Sequence, residues 1–153
     1  MPLYLVQHGK NLSKDVDPDK GLSEEGFDEV RRIADVAKGY AVVVNAIAHS
    51  GKKRARQTAE VFAEALVPAK GVSERGGLGA LDDVAAAAKG LNPEENLMLV
   101  GHLPFMEKLT GHLTAGDAET RVFKFQNGGI VCLDADPDGG GWVIKWTLMP
   151  HIG

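Results

Sequence analysis

Three short apolar runs mark the first two thirds of the chain, at residues 3–6, 41–48 and 96–100. Each run has the usual length of a strand and is rich in leucine or β-branched side chains. Nearly every position is apolar, which is typical of parallel strands that are covered on both faces. Each run leads into polar residues, so the pattern predicts three buried strands whose carboxyl ends open into loops.

Helical spacing fills the segments between these runs. Ser23 is a good N-cap, Glu24 suits the positive end of a helix, and Gly39 is a typical stop. The apolar positions that repeat at helical spacing are Val30, Ile33, Ala34 and Ala37 in the first helix, and Ala55, Ala59, Phe62 and Leu66 in the second. An alanine-rich helix at 82–89 and a helix that starts at Pro104 complete the prediction.

The last part of the chain changes to strands. Strand-like residues occupy 122–125, 129–134 and 142–148. A turn at 136–141 joins the last two into a hairpin, and the two tryptophans of the last strand are expected on one of its faces. Alternating strands and helices followed by a hairpin predict an α/β sandwich, with a mainly parallel sheet and an antiparallel C-terminal hairpin.

Composition limits the class of protein. Of the 153 residues, 44% are hydrophobic and 25% charged, and no linker divides them, so we expect residues 1–153 to form a single domain. The net charge of −4 argues against a nucleic-acid partner. The N-terminus has no signal-like or membrane-spanning stretch, which indicates a cytoplasmic protein without a membrane partner. The one cysteine, Cys132, lies in an apolar run and is expected in the core.

Unusual polar residues follow all three predicted strands. They are Gln7-His8-Gly9, then His49-Ser50 with Arg54 close behind, and Gly101-His102. The carboxyl ends of parallel strands line one crevice of an open α/β sheet, so His8, Arg54 and His102 should meet there. Arg54 also lies where a helix begins, and helix N-termini attract anions. Two histidines, an arginine and a helix N-terminus predict a phosphate-binding site.

Four motifs, in order along the chain, resemble those of the histidine phosphatase superfamily. Gln7-His8-Gly9 after a strand resembles its strand-Arg-His-Gly signature, and Leu22-Ser-Glu-Glu-Gly26 resembles its Leu-Thr-x-x-Gly segment. Ser50-Gly-Lys-Lys-Arg-Ala-Arg-Gln-Thr-Ala59 resembles its Ser-x-x-x-Arg-Ala-x-Gln-Thr-Ala motif. Gly101-His-Leu-Pro104 resembles its second-histidine motif in the SixA-type form. The resemblance implies a three-layer, phosphoglycerate mutase-like fold without a cap domain.

The resemblance also implies a covalent mechanism that needs no metal and no cofactor. A neutral His8 nitrogen would attack phosphorus, and water would hydrolyse the resulting phosphohistidine. Arg54 would hold the phosphoryl oxygens, a cationic His102 would stabilise the charge of the transferring group, and Gly9 would leave room for phosphate. The other residues expected to bind the substrate are Gln7, His49 and Ser50.

Gln7 departs from the family pattern, which places an arginine beside the nucleophile. Glutamine donates hydrogen bonds but brings no charge, and loss of one such donor typically costs about 3–4 kcal/mol of transition-state stabilisation. The nearest residues that would compensate are Lys52, Lys53 and His49, and we favour His49 because it directly follows the second strand. A partly buried strand-end histidine with no role in the site fits the sequence equally well.

Asp82 and Asp83 lie where SixA-type chains carry a carboxylate that serves as proton donor. Each also suits the N-cap of the following helix, a role that fits Asp82 slightly better and leaves Asp83 as the candidate acid. An alcohol leaving group needs such an acid. Phosphohistidine needs it less, because a protonated imidazole departs readily.

Three functions fit these residues. The first is a phosphohistidine phosphatase that acts on signalling or phosphotransfer proteins, whose phosphorylated side chains an uncapped site would admit. The second is a phosphomonoesterase for small phosphorylated molecules, which would depend more on Asp82 or Asp83. The third is a phosphate- or phosphoprotein-binding module with little catalysis, which the substitution at Gln7 suggests.

Overall fold

The computed structural model describes residues 1–152, and within them lie six strands and four helices. The strands are β1 (Leu3–Gln7), β2 (Ala46–His49), β3 (Val72–Glu74), β4 (Leu97–Gly101), β5 (Ile130–Ala135) and β6 (Trp142–Leu148). The helices are α1 (Glu24–Gly39), α2 (Lys53–Leu66), α3 (Val84–Lys89) and α4 (Phe105–Ala115).

The strands form one mixed sheet in the order β3-β2-β4-β1-β5-β6. β2 pairs in parallel with β3 and β4, and β4 pairs in parallel with β1. β5 is antiparallel to β1, and β6 is antiparallel to β5. The predicted α/β fold class is therefore confirmed, including the antiparallel C-terminal hairpin. β1 and β4, which lead to two of the candidate site residues, are neighbours at the centre of the sheet.

Helices cover both faces of this sheet. Tyr4 and Val6 of β1 pack in a core with α1 and α2, whereas Leu3 and Leu5 pack in a second core with α3 and α4. Successive side chains of a strand point to opposite faces, so a central strand between two helix layers has to be apolar throughout. This arrangement gives the three layers and explains the unbroken apolar run of β1.

The second strand is shorter than the sequence predicts. β2 begins at Ala46, and residues 41–45 form a connection from α1. Ala41 has a left-handed backbone with φ of 58°, and the Val43 side chain is 62% exposed. The chain uses these residues to turn back toward the sheet. Valine favours a strand, but packing against neighbouring strands overrides this preference, and residues 41–45 pair with no strand among residues 1–152, which is why the prediction was wrong here.

Residues 122–125 form no strand, contrary to the prediction. The Phe125 N–H donates to the Glu107 carboxylate on α4 at 3.2 Å, where a strand would have a backbone carbonyl. The Phe125 side chain is buried against the core of α3 and α4, with the Phe123 ring edge-on to it at 6.0 Å between centroids. The aromatic residues of this segment pack a loop against α4.

A register shift between Cys132 and Leu133 contradicts the predicted common face of the two tryptophans. Cys132 pairs with Trp146, whereas Leu133 pairs with Ile144, so β6 has one extra residue at this point. An extra residue exchanges the two faces of a strand. Trp146 therefore packs in the core of α1 and α2, and Trp142 packs in the core of α3 and α4. Cys132 is fully buried, as expected.

The first turn of α1 lies against the loop that follows β1. Ser23 caps the helix as predicted, since its Oγ accepts the Gly26 N–H at 3.0 Å. The Ser23 N–H donates to the Lys10 carbonyl at 2.9 Å. A Cβ added to Gly26 would lie 2.1 Å from that carbonyl oxygen. The glycine that ends the Leu-Ser-Glu-Glu-Gly motif is thus required by the close approach of α1 to this loop.

Replacing Gly26 by alanine should lower the free energy of unfolding by about 1–3 kcal/mol, because the new methyl group would overlap a backbone oxygen. Denaturant unfolding followed by circular dichroism measures the change. Gly39→Ala is the matched control, since a Cβ at Gly39 meets no atom within 4 Å and alanine favours a helix. Equal stability of the two variants would show that α1 is not in close contact with this loop at Gly26.

Candidate active site

The adjacent carboxyl ends of β1 and β4 bring His8 and His102 together. The centroids of their rings lie 5.1 Å apart, with the ring planes inclined at 54°. The His8 N–H donates to the Gly101 carbonyl at 2.9 Å, which fixes the two strand ends relative to each other. The exposed fraction is 9% for His8 and 3% for His102. The two imidazoles form a buried pair at the carboxyl ends of the central strands, and we call them the histidine pair.

The His8 ring is held by its own backbone neighbour. Its Nδ1 lies 2.7 Å from the Gly9 carbonyl oxygen. A carbonyl only accepts hydrogen bonds, so Nδ1 carries the proton and Nε2 of the neutral ring keeps its lone pair. Asn127 supports the same residue, because its Nδ2 donates to the His8 carbonyl at 2.9 Å. The ring is thereby fixed with Nε2 as its basic atom.

Thr58 connects this loop to α2. The Gly9 N–H donates to Thr58 Oγ1 at 2.9 Å, and the same hydroxyl donates to the Arg54 carbonyl at 2.7 Å. The Thr58 side chain is fully buried. The threonine of the Arg-Ala-x-Gln-Thr-Ala motif thus sets the distance between the histidine loop and the first turn of α2. Gly9 has a packing reason as well, because a Cβ there would lie 2.7 Å from Val30 Cγ2 on α1.

Ser50 and His102 are in direct contact. The Ser50 Oγ lies 2.7 Å from His102 Nε2. His102 Nδ1 is buried and has no hydrogen-bond partner among residues 1–152. A buried polar atom left without a partner costs free energy, and such atoms are rare in folded proteins. The fold thus supplies a partner for Nε2 of His102 and none for its Nδ1 among these residues.

Both imidazoles are neutral at pH 7. Burial is the main reason that the pKa of His8 is lowered to about 4. The hydrogen bond to Gly9 raises this pKa, whereas the positive charges of Arg54 and Lys20 lower it. Burial also lowers the pKa of His102 to about 4, with further lowering by His8, Arg54 and nearby lysines. The expectation of a cationic His102 is wrong for the free site, because desolvation and neighbouring positive charge favour the neutral ring.

A basic groove lies beside the first turn of α2 and includes Arg54, whose charge acts on both imidazoles. It has a volume of about 800 Å³. Its lysine and arginine side chains are Lys14, Lys20, Lys52, Lys53, Arg54 and Arg56. Within residues 1–152, no carboxylate oxygen lies within 4.0 Å of the Lys20, Lys52 or Arg54 cation. A groove with unpaired cations on a protein of net charge −4 concentrates the potential that attracts anions.

His49 lies apart from the histidine pair. Its Nδ1 accepts the Gly51 N–H at 3.1 Å, and the side chain is buried at the end of β2. Burial lowers the pKa of His49, and the charges that act on it come from Glu74, Arg56 and Glu60. The structure therefore agrees with the alternative of a strand-end histidine and does not support His49 as the replacement for the missing arginine.

Asp83, and not Asp82, is the N-cap of α3. Its Oδ1 accepts the Ala85 N–H at 2.9 Å. Asp82 closes the preceding turn, since its Oδ2 accepts the Gly79 N–H at 2.7 Å. Both carboxylates are exposed and line a groove beside α3 together with Arg75. The N-cap role expected for Asp82 therefore belongs to Asp83, and neither carboxylate is among the groups that affect the pKa of the histidine pair.

Gln7 ends β1 directly before the nucleophile candidate. Its backbone carbonyl accepts the Gly128 N–H at 2.8 Å. Its side-chain Oε1 is buried and has no partner among residues 1–152. Like His102 Nδ1, this atom is a polar group without a partner near the strand ends. An amide that turns its NH₂ toward an anion would donate a hydrogen bond there, without the charge of an arginine.

Among residues 1–152, no three His, Cys, Asp or Glu side chains come together in a way that would hold a metal ion. No helix in the same range has the length and apolar character to cross a membrane.

Comparison with known proteins places this geometry in a family. The model of the histidine phosphatase superfamily (branch 1) matches residues 3–78, the range that holds β1, the histidine loop and α2. The chain belongs to the histidine phosphatase superfamily. Within it, the chain is similar to the phosphohistidine phosphatase SixA of Escherichia coli (strain K12), with 27% identity over 98% of this chain and 94% of that protein.

Solved structures show the same relationship. A structure of the protein histidine phosphatase SixA complexed with tungstate has a TM-score of 0.83 and 26% identity, and the match covers 98% of this chain and 97% of that one. A mycobacterial glucosyl-3-phosphoglycerate phosphatase, 16% identical with a TM-score of 0.72, shares the fold over 97% of this chain and 99% of its own. Together with the superfamily match, the SixA relatives support a phosphatase.

Titration of the labelled protein by ¹⁵N NMR should show both imidazoles neutral until the pH falls to about 4. A lowered pKa means that the proton binds only at lower pH, because the buried site disfavours the charged ring. Adding tungstate should raise the midpoint of His102, since an anion beside the ring favours its charged form. Midpoints near the ordinary histidine pKa of about 6.5 would contradict the description of a desolvated pair.

Proposed function

We propose that this protein is a phosphohistidine phosphatase in which Nε2 of His8 carries the phosphoryl group. The hydrogen bond from His8 Nδ1 to the Gly9 carbonyl supports this proposal most directly. It leaves a lone pair on the atom that faces away from the backbone, and the lowered pKa keeps that lone pair free of a proton at neutral pH.

The reaction has two displacement steps. In the first, His8 Nε2 forms a bond to phosphorus while the bond from phosphorus to the substrate imidazole breaks, and the leaving imidazole departs neutral because its other nitrogen already carries a proton. In the second, water attacks phosphorus and the bond to His8 breaks. The water proton passes to solvent or phosphate, and inorganic phosphate leaves a neutral His8.

Arg54 and His102 would stabilise the phosphoryl group as it is transferred. Arg54 lines the basic groove and lowers the pKa of both imidazoles, so its charge acts at the place where phosphate would lie. A guanidinium offers two parallel donors that match two phosphoryl oxygens. An incoming dianion would raise the pKa of His102, whose ring then binds a proton and donates to the same group. No step in this scheme needs a metal ion or a cofactor.

A phosphorylated protein is the substrate that the site supports best. The basic groove is open to solvent and contains Arg54, so a side chain presented by a folded partner would reach the cations there. Phosphohistidine also fits the absence of a carboxylate among the groups that affect the histidine pair, because its leaving group needs no strong acid. The relationship to SixA phosphohistidine phosphatase supports the same substrate class.

Two other functions stay open to test. A phosphomonoesterase would need a proton donor, for which Asp83 stays the candidate from the sequence. A binding module without turnover would follow if Gln7 leaves the transition state too weakly stabilised. One enzyme assay separates all three.

Purified protein should release phosphate from a phosphohistidine protein faster than from an aryl phosphate, and His8→Ala should abolish both activities. Loss of the nucleophile typically lowers kcat by a factor of about 10⁴ or more in enzymes with a covalent intermediate. Malachite green detection measures the released phosphate. A wild-type rate equal to that of His8→Ala would mean that the protein binds phosphate without hydrolysing it.

Asp83→Asn should leave phosphohistidine hydrolysis unchanged. Asparagine is as good an N-cap as aspartate, so α3 and its stability should also be unchanged. The initial rates of the variant and the wild type are compared on both substrates. A large loss on the aryl phosphate alone would assign Asp83 to proton donation for alcohol leaving groups, and a large loss on both would contradict the proposed independence from an acid.

A further inference from the structure

We propose that Lys20 binds the phosphoryl group and supplies the positive charge that Gln7 does not. This inference rests on the proposed function, in that it takes a phosphoryl anion as the ligand. It assigns a role to a residue outside the motifs that carry the family resemblance. The loop geometry, the basic groove and the unpaired charge of Lys20 support it.

Lys20 and Arg54 line the same groove, although they come from different parts of the chain. Its side chain is half-buried, and no carboxylate among residues 1–152 lies within 4.0 Å of its ammonium group. Lys53, which lines the same groove, is different because its Nζ is bound to Asp17 Oδ2 at 2.9 Å. Two cations that lack carboxylate partners and line one groove favour the binding of an anion there.

The loop that carries Lys20 is fastened to α2 at two points. Asp17 accepts the Lys53 ammonium, and the Leu22 N–H donates to Gln57 Oε1 at 2.7 Å. Gly21 fits so closely between them that an added Cβ would lie within 3.0 Å of both Lys53 and Gln57 side chains. Lys20 therefore lies over the first turn of α2, the turn that contains Arg54.

The backbone at Lys20 is in the left-handed region, with φ of 53°. Asp17 holds this conformation, since its carbonyl accepts the Lys20 N–H at 2.9 Å and its Oδ2 accepts the Gly21 N–H at 2.9 Å. Glycine adopts such a φ without steric cost, whereas lysine does not. The loop thus keeps a lysine where glycine would meet no steric cost, and the hydrogen bonds to Asp17 hold its backbone in a fixed conformation.

The charge of Lys20 reaches both members of the histidine pair. Its ammonium group lowers the pKa of His8 and of His102, as Arg54 does. Lys52 lowers the pKa of His102 more than Lys20 does, but its side chain is exposed and it is not among the groups that lower the pKa of His8. Of the candidates to replace the missing arginine, Lys20 is thus the one whose charge reaches the nucleophile and its partner together.

Isothermal titration with tungstate measures anion binding without any turnover. Lys20→Met should weaken tungstate binding by about 10- to 100-fold, the range for a charge-assisted hydrogen bond, and Lys20→Arg should restore most of it. Lys38→Met is the matched control, because Lys38 is an exposed lysine in the last turn of α1, at the end away from the site. It should bind tungstate like the wild type.

A double-mutant cycle tests whether a positive charge at position 20 substitutes for one at position 7. Gln7→Arg should strengthen tungstate binding more in the Lys20→Met background than in the wild type, because one added cation matters most where the other is missing. Equal gains in the two backgrounds would overturn the claim that Lys20 replaces the arginine. Tungstate binding by Lys20→Met that equals the wild type would overturn the binding role itself.

Lys20→Gly separates charge from folding. Glycine suits the backbone at this position, so the melting temperature should not fall, while tungstate binding should weaken as in Lys20→Met. Retained binding in this variant would overturn the proposal. Should the wild type bind tungstate but release no phosphate from a phosphohistidine protein, the proposed function fails, and the cycle still decides the role of Lys20.

Discussion

The hydrogen bond from the His8 ring to the Gly9 carbonyl is the constraint on which the rest of the site depends. The Gly9 carbonyl accepts from the His8 ring, and the Gly9 N–H donates to Thr58, whose hydroxyl donates to the Arg54 carbonyl. One dipeptide therefore fixes the tautomer of the nucleophile candidate and its distance from the first turn of α2. The close fit of Gly9 against Val30 extends this constraint to α1. The two helices on one face of the sheet thus both position the same imidazole.

Charge is arranged around this fixed ring in two zones. The histidine pair is buried, so its rings are neutral, whereas the cations that act on it line an open groove, where solvent reduces the cost of their charge. This separation lets an acidic protein of net charge −4 keep a strongly basic groove. Arg54 belongs to both zones, because its backbone is held by Thr58 inside the fold while its side chain lines the groove.

The sequence predicted what periodicity and motif spacing determine. The apolar run of β1 and the Ser23 cap were recognised because each has a local physical cause. Residues 41–45 and 122–125 were assigned wrongly, since an apolar side chain packs equally well from a loop, and the shifted register beside Cys132 depends on pairing between strands. The surroundings of each side chain could not be predicted either: the sequence gives no sign that burial would keep His102 neutral at pH 7, nor that the charge of Lys20 would act on both histidines.

The contact between Ser50 and His102 has a consequence for how the site responds to charge. A hydroxyl both donates and accepts, so Ser50 can keep its bond to Nε2 whether or not that nitrogen carries hydrogen. Gain of a proton by the ring therefore requires rotation of the hydroxyl hydrogen and does not break this hydrogen bond. Ser50 thus provides His102 with a hydrogen-bond partner in both of its charge states.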